Sequence, residues 1–483
     1  MSALFPALGK ESAAPALCFG DEVIDYSRLR EAAGSLAAEL AGRDRVAVWA
    51  TPTPATVVGV VAAVLAGVPV VPLNPRSGER ELAHVLADCA PDLLLTGPGD
   101  ELPEVAAGQE RLTVVTERPE GGAPVPAALE PGRDDRAALI VYTSGTTGAP
   151  KGVVLSRRAI AATLDDVAEA WRWTDEDVLV HALPLFHVHG LILGALGPLR
   201  RGGTMRHLGR FSVEGVTRAL TEQGGTMFFG VPTMYHRLAE AAGEDAAVAS
   251  ALRGARLLVS GSAALPLRDH ERIRAAAGAR VIERYGMTET LMNTSTRVDG
   301  PSRPGTVGVP LPGVDVRLVD ERGERIEGGD GETVGELQVR GPSLFTEYLN
   351  RPDATAEGFD GGWFRTGDMA TRDAEGCYRI VGRRSTDLIK SGGYKIGAGE
   401  IENVLLECAG VREAAVTGEP DPDLGERVVA WIVPVDGAAP PDADRLAEEV
   451  SAQLSPHKRP RVVRFVAELP RNDMGKVMKR ELG

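Results

Sequence analysis

The chain has 483 residues, of which 43% are hydrophobic and 25% are charged. A single hydrophobic core stops growing at roughly 250–300 residues, so we expect at least two domains. The formal net charge of −15 argues against binding to nucleic acid or anionic lipid, because such binding depends on clustered Lys and Arg. Small-molecule chemistry is the better expectation.

The sequence also indicates neither export nor membrane insertion. Its four cysteines contain no CxxC pair, so neither a disulfide framework nor a zinc site is indicated. The apolar run 57–71 is shorter than the about 20 residues that span a bilayer. The N-terminus lacks a basic start followed by a long apolar stretch. We expect a cytoplasmic protein without nucleic-acid or membrane partners, and the oligomeric state stays open.

Helix and strand patterns alternate through the first 280 residues, which predicts a layered α/β domain. The predicted helices are 26–41, 56–66, 190–199 and 269–277, and the predicted strands are 45–50, 68–73, 177–182 and 256–260.

From about Thr306 the alternation of helix and strand patterns gives way to short strand patterns separated by Gly, Asp and Asn turns. This predicts a β-rich subdomain with strands at 314–319, 335–339 and 378–381. We divide the chain into a large domain (1–383), a hinge (384–386) and a small domain (387–483). The small domain is predicted to contain helices 400–408 and 446–454 and a strand at 427–433.

A Gly- and Thr-rich segment, Tyr142-Thr-Ser-Gly-Thr-Thr-Gly-Ala-Pro-Lys-Gly152, follows the strand-like run 137–141. Glycines let backbone N–H groups approach a polyphosphate, hydroxyls add donors, and lysine adds charge. The spacing is not that of the nucleoside-triphosphatase loop, which requires Gly-Lys followed by Ser or Thr. The segment predicts a phosphate-binding loop, with contacts from Thr143, Ser144, Gly145, Thr146, Thr147, Gly148 and Lys151.

This loop resembles that of the adenylate-forming superfamily, which contains acyl-CoA synthetases, peptide-synthetase adenylation domains and luciferases. The likeness covers nearly the whole chain, in order, through Tyr285-Gly-Met-Thr-Glu-Thr290, Tyr348-Leu-Asn-Arg-Pro352, Phe364-Arg-Thr-Gly-Asp368, Gly392-Gly-Tyr-Lys395 and Arg471-Asn-Asp-Met-Gly-Lys476. The resemblance implies a large N-terminal adenylation domain of layered α/β subdomains plus a β-rich subdomain, with a small mobile α+β C-terminal domain. It also implies ATP, Mg²⁺ and coenzyme A.

The resemblance assigns roles to individual residues. Tyr285 would stack on adenine, Thr288 would contact the α-phosphate, and Glu289 would hold Mg²⁺, which prefers hard oxygen ligands. The other implied contacts are Thr143 to the metal, Asp368 and Arg383 to the ribose, Ser262, Ala263, Glu283 and Gly286 to the nucleotide, and Gly392, Gly393 and Lys395 to coenzyme A.

The implied reaction has two steps. A carboxylate attacks the α-phosphate of ATP and expels pyrophosphate, and a thiol then attacks the acyl carbon of the acyl-AMP. The resemblance assigns Lys476 to the first step and the pair Gly392–Gly393 to the second. We therefore expect the small domain to present two faces in turn by rotating at the hinge.

Two basic residues suggest the class of acid. Arg284 directly precedes Tyr285, and Arg237 follows a pocket-lining pattern that begins at Phe229. A buried cation needs a partner, which a second carboxylate on the substrate would supply. The segment Glu283-Arg-Tyr-Gly-Met-Thr-Glu-Thr290 resembles that of malonyl-CoA synthetases, which implies malonate and methylmalonate as substrates.

The remaining expected substrate contacts come from three segments. His187 and His189 alternate, so on a strand they would point the same way. No third ligand lies nearby, which disfavours a metal pair, and His187 is expected to line the acyl pocket and to assist catalysis. The full predicted substrate set is His187, Arg237, Ser260, Ser262, Arg284 and Met287.

Two alternatives stay open. The acyl group could go to a carrier-protein thiol, although the chain ends seven residues after Lys476 without an appended carrier domain. The second alternative is a nucleotide-binding protein without catalytic activity. The presence of Glu289, Asp368 and Lys476 argues against this alternative.

Overall fold

The computed structural model describes residues 4–117, 135–143, 149–383, 387–435, 439–471 and 477–482. The strands are β1 (Pro15–Phe19), β2 (Glu22–Asp25), β3 (Val46–Trp49), β4 (Val70–Leu73), β5 (Leu93–Thr96), β6 (Arg111–Thr113), β7 (Ala137–Thr143), β8 (Lys151–Ser156), β9 (Val178–His181), β10 (Thr204–His207), β11 (Met227–Gly230), β12 (Leu257–Ser260), β13 (Val281–Met287), β14 (Leu291–Ser295), β15 (Val309–Pro310), β16 (Asp315–Val319), β17 (Gly335–Arg340), β18 (Glu347–Tyr348), β19 (Phe359–Asp360), β20 (Trp363–Arg372), β21 (Tyr378–Arg383), β22 (Leu388–Ser391), β23 (Tyr394–Gly397), β24 (Val411–Asp421), β25 (Gly425–Pro434) and β26 (Val462–Phe465). The helices are α1 (Tyr26–Leu40), α2 (Pro54–Ala66), α3 (Glu79–Cys89), α4 (Arg157–Trp171), α5 (Gly197–Arg201), α6 (Val213–Thr221), α7 (Pro232–Glu244), α8 (Ala246–Gly254), α9 (Leu267–Ala277), α10 (Pro352–Glu357), α11 (Ala398–Glu407) and α12 (Ala443–Gln453).

Two large sheets organise the first part of the chain. One has nine strands in the order β15-β14-β13-β12-β11-β9-β10-β1-β2, and the other has seven in the order β18-β8-β7-β4-β3-β5-β6. The main hydrophobic core lies between them and contains α1, α2 and α4, whereas α3 covers the outer face of the seven-stranded sheet. Helices α6 to α9 cover the outer face of the nine-stranded sheet. The predicted α/β layering is confirmed.

Helix α2 lacks the alternation of apolar and polar faces that most helices show in their sequence. Its residues from Pro54 to Val64 are all buried, because the helix is enclosed by both sheets. A helix that is apolar on every side belongs in such a position.

The β-rich subdomain and the small domain have cores of their own. Strands β16, β17, β20 and β19 form one five-stranded sheet with β21 beside β20, and the small domain forms another from β23, β22, β25, β24 and β26. Among the described residues, the main core extends to Ile380 and the small-domain clusters begin at Ile389. The predicted hinge, 384–386, lies outside the described residues.

Direct contacts join the two parts of the chain. The Arg268 guanidinium on α9 donates hydrogen bonds to the carbonyls of Leu406, at 2.7 Å, and Arg412, at 3.1 Å. At the far end of the small domain, Lys479 forms ion pairs with Asp387 at 3.2 Å and Glu402 at 2.6 Å. The C-terminal segment is therefore held against the residue that follows the hinge.

The region around the paired histidines corrects one prediction. The helix predicted at 190–199 is a π-helical segment, His189–Leu196, followed by α5. His187 lies in a bend and His189 begins the π-helix, so neither lies on a strand. A Cβ on Gly190 would lie 2.1 Å from the Pro184 carbonyl oxygen, which shows how tightly this turn is packed. Apolar periodicity does not distinguish a π-helix from an α-helix.

The other predicted elements are confirmed within a few residues, but the predictions did not include several elements, the longest of which are strands β20 and β24 and helix α4. No helix among the described residues is long and apolar enough to cross a membrane.

Candidate active site

The predicted phosphate loop joins two paired strands. Strands β7 and β8 are antiparallel, with Thr143 opposite Lys151. Helix α3 anchors both flanks of the loop, because Tyr142 donates a 2.8 Å hydrogen bond to Asp88 and His84 lies 3.0 Å from the Pro150 carbonyl oxygen. Residues Ser144, Gly145, Thr146, Thr147 and Gly148 lie outside the described residues, so their nucleotide contacts stay predictions.

Tyr348 connects this loop to the predicted metal-binding carboxylate. Its hydroxyl donates a 2.8 Å hydrogen bond to Glu289, and the Lys151 ammonium lies 4.9 Å from its ring centroid. Glu289 is buried, and burial raises the pKa of its carboxyl group above the usual range. Among the described residues no cation forms an ion pair with it. Tyr348 belongs to one of the family motifs in the sequence, but the sequence did not predict its hydrogen bond to Glu289.

A second group forms the predicted ribose site. The Tyr285 hydroxyl donates to Asp368 at 2.6 Å, and Arg383 Nε lies 3.0 Å from the other Asp368 oxygen. Strand register brings the last two together, since Asp368 on β20 pairs with Arg383 on β21. Tyr285 and Asp368 are buried, and burial raises the pKa of the Tyr285 phenol. The structure thus unites three residues that the resemblance assigned to the nucleoside.

Arg284 lies on the face of the nine-stranded sheet that points into the main core. It is 7% exposed, and among the described residues it forms no ion pair or side-chain hydrogen bond. Burial, with no carboxylate to oppose it, lowers the pKa of Arg284 to about 10. The guanidinium carbon lies where a side chain would begin on Gly261, at 2.3 Å from an ideal Cβ, so a side chain at this position would displace the guanidinium.

His189 packs against the same core-facing side of this sheet, a relation that the sequence analysis missed. Its ring is 6.1 Å from the ring of Phe229. Burial and the Arg284 charge hold the pKa of His189 well below its ordinary value. His187 is half-buried beside Phe186, with ring centroids 4.5 Å apart, and its predicted place in the acyl pocket stays a prediction.

Two predicted substrate residues are not brought to Arg284. Ser260 on β12 is in register with Glu283, so its side chain points to the face opposite Arg284. Arg237 is exposed on α7, whereas we expected it to be a second cation beside the acyl pocket. The physical reason is that alternate residues of a strand face opposite sides, and a helix outside the sheet presents its polar side to solvent.

The other predicted nucleotide and substrate contacts lie at the carboxyl ends of these strands. Ser262 and Ala263 are exposed, and Ser262 has a φ of 75°, a strained value for a residue with a side chain. Gly286 passes so close to Leu291 that a Cβ would lie 1.9 Å from its carbonyl oxygen. Met287 and Thr288 follow it and are half-buried.

Glu283 has a structural position that we did not predict. One carboxylate oxygen accepts from the Leu265 backbone N–H at 3.1 Å, and the other accepts from Gly305 N–H at 3.0 Å and lies 2.9 Å from His270 Nε2. The buried carboxylate thus joins two loops to α9. The predicted contact of Glu283 with the nucleotide stays a prediction.

The predicted coenzyme A segment is a tight turn. Gly392 and Gly393 connect β22 to β23 with φ values of 58° and 83°, as the two-residue hairpin turn with two positive φ angles requires. Both are exposed, and nothing lies within 4 Å of a Cβ built on Gly393. The side chain of Lys395 and all of Lys476 lie outside what the structure describes.

Comparison with known proteins places this site in a family. The profile of the AMP-binding enzyme family matches residues 6–349, and that of the AMP-binding enzyme C-terminal domain matches 400–476. Malonate–CoA ligase ACSF3, mitochondrial, of Mus musculus is 39% identical over 449 residues, which cover 85% of this chain and 76% of the relative. Malonate–CoA ligase of Arabidopsis thaliana is 37% identical over 475 residues, covering 91% and 77%.

Two solved structures are similar along almost their entire length. A malonyl-CoA ligase ternary product complex with methylmalonyl-CoA and AMP bound is 63% identical, with a TM-score of 0.75, and covers 97% of this chain and 100% of its own. ATP-bound MatB from Rhodopseudomonas palustris is 34% identical, with a TM-score of 0.89, and covers 100% and 98%. The chain therefore belongs to the AMP-binding enzyme family.

Proposed function

We propose that this protein joins malonate, or methylmalonate, to coenzyme A at the expense of ATP, through an acyl-adenylate. The observation that carries the choice of acid is Arg284, a buried guanidinium without a carboxylate partner among the described residues. An uncompensated buried cation is costly, so a site that keeps one is suited to an anionic ligand. The similarity to malonate–CoA and malonyl-CoA ligases supports the same conclusion.

The first step transfers the adenylyl group. A carboxylate oxygen of the acid attacks the α-phosphorus of ATP, an O–P bond forms, and the bond to pyrophosphate breaks. Tyr285, Asp368 and Arg383 hold the nucleoside, while Lys151 and Lys476 bear positive charge toward the phosphates. Arg284 orients the acid by holding its second carboxylate, so that the first carboxylate faces the phosphate.

The second step makes the thioester. The sulfur of coenzyme A attacks the acyl carbon, a C–S bond forms, and the bond to AMP breaks while the thiol proton leaves to solvent. AMP is a far better leaving group than hydroxide, which is why the acid is adenylated first.

Glu289 fits a magnesium ion. It is a buried carboxylate whose described hydrogen-bond partner, Tyr348, is neutral, and its raised pKa means that a nearby cation would stabilise the ionised form. Mg²⁺ held by Glu289 and Thr143 would neutralise charge on the phosphates of ATP.

The two structural similarities support rotation of the small domain. The relative with 63% identity has the lower TM-score, 0.75, and contains products, whereas the ATP-bound relative with 34% identity scores 0.89. Backbone similarity within domains rises with identity, so we attribute the lower score to a different orientation of the small domain. This chain is then closer in domain arrangement to the ATP-bound relative than to the product complex.

Replacing Gly393 with leucine is expected to impair thioester formation at least tenfold while ATP–pyrophosphate exchange stays near that of the parent. The reason is that a side chain would enter open space that we assign to the thiol arm. Gly362→Leu is a matched control, because Gly362 has a φ of 85°, is exposed, closes a two-residue hairpin turn, and has nothing near its Cβ. Equal effects of both changes on thioester formation would contradict the prediction.

The function itself is tested by ATP–pyrophosphate exchange with a panel of malonate, methylmalonate, propionate and acetate. We expect exchange that requires Mg²⁺ and is strongest with malonate or methylmalonate, followed by thioester formation with free coenzyme A. Transfer only to a carrier-protein thiol would favour the alternative acceptor. Absence of exchange with every acid would exclude an adenylating enzyme.

A further inference from the structure

Four neighbouring residues form a polar site on the core-facing side of the nine-stranded sheet. Phe229, at the end of β11, is in register with Val259 on β12, which in turn pairs with Ile282 on β13. Gly261 follows Val259 by two residues, and Arg284 follows Ile282 by two, so both lie on the same face of the sheet as Val259 and Ile282. His189, at the start of the π-helix, lies on this same face, with its ring 6.1 Å from the ring of Phe229. The cluster is thus Phe229, Gly261, Arg284 and His189.

The polar atoms of this cluster lack partners within the described residues. They are Nε and Nη2 of Arg284 and both ring nitrogens of His189, and the two side chains are only 7% and 4% exposed. Buried polar groups in native proteins are normally hydrogen-bonded, so four unpartnered nitrogen atoms on two side chains of one sheet face indicate a binding site for a polar ligand. The Nε and Nη2 edge of a guanidinium is a geometry that binds a carboxylate through two parallel hydrogen bonds.

We propose that His189 is a specificity-determining residue, which donates a third hydrogen bond to the substrate carboxylate that Arg284 binds. This inference rests on the proposed function and extends it to a residue that no motif assigned. One guanidinium and one carboxylate cancel in charge, so the third donor has to be neutral to leave the buried site uncharged. A deprotonated imidazole meets this requirement, since it keeps one N–H.

The test compares His189→Phe with the parent. Phenylalanine keeps an aromatic ring against Phe229 and removes both nitrogen atoms. We expect kcat/KM for malonate to fall about 10- to 100-fold, the loss of one hydrogen bond to a charged group, with most of the change in KM. Propionate, which lacks the second carboxylate, should be little affected. His189→Asn, which keeps an N–H, should recover part of the malonate activity.

His207→Phe is the matched control. His207 is equally buried and stacks on Phe19, but its nitrogen atoms contact the Leu183 carbonyl and the Gly209 N–H instead of facing Arg284. This change should alter the melting temperature without altering the ratio of malonate to propionate activity. Should His189→Phe fail to fold, His189→Leu serves as the donor-free variant.

The outcomes separate the two proposals. If the parent enzyme does not prefer malonate to propionate, the proposed function fails. If the parent prefers malonate and the donor-free variant keeps the same ratio, only the role of His189 is overturned. Malonate-induced thermal stabilisation gives an independent readout, since it should weaken in His189→Phe and persist in His207→Phe.

Discussion

Replacing Arg284 with alanine is expected to lower kcat/KM for malonate by about 10²–10³-fold or more, because removing one partner of a buried ion pair costs about 3–5 kcal/mol. Arg284→Lys should recover little, since an ammonium cannot reproduce the two parallel hydrogen bonds of the guanidinium edge. Acetate and propionate should be poor substrates of the parent and comparatively insensitive to the change. Steady-state kinetics with the four acids measures all of these effects.

For stability, we expect that replacing Arg284 has the opposite effect. Without substrate, Arg284 is a buried charge with no described partner, so its removal should relieve a desolvation cost. Arg284→Met, which roughly keeps the volume, is therefore expected to melt at or above the temperature of the parent. Malonate turnover that survives Arg284→Ala, or a parent enzyme that prefers monocarboxylates, would refute the dicarboxylate assignment and leave only the adenylation chemistry.

Replacing Lys476 with alanine is expected to reduce acyl-adenylate formation by about 10²–10³-fold or more, since a charge aimed at the developing negative charge on the phosphates is lost. A supplied malonyl-adenylate should still react with coenzyme A, because that step uses the other face of the small domain. Acetylation of Lys476 removes the same charge and should act alike. ATP–pyrophosphate exchange and single-turnover thioester formation measure the two steps separately.

Lys458→Ala provides the control for this variant. Lys458 belongs to the same domain and forms a 2.6 Å ion pair with Glu400 on α11. Its removal should leave both steps close to those of the parent. If Lys476→Ala impairs both steps equally, the two-face hypothesis is wrong.

The sequence by itself determined the reaction class and the layered architecture. The phosphate loop and the segments around Tyr285 and Asp368 are short, and their chemistry depends on residue types at fixed local spacing. The apolar patterns that predict helices and strands are also local, since each follows from which residues along one element face the core. Even the substrate class could be predicted, because Arg284 adjoins Tyr285 in the chain and the segment around it resembles that of malonyl-CoA synthetases.

Only the tertiary structure decided which side chains share a site. Parallel strands align residues that lie far apart in the chain, and their register placed Gly261 and Arg284 on one face and Ser260 and Glu283 on the other. A π-helical turn, which periodicity cannot distinguish from an α-helix, places His189 against Phe229 on the same face as Arg284. Such proximity depends on how separate elements pack together. That packing depends on all the core residues together, so no single segment of the sequence reveals it.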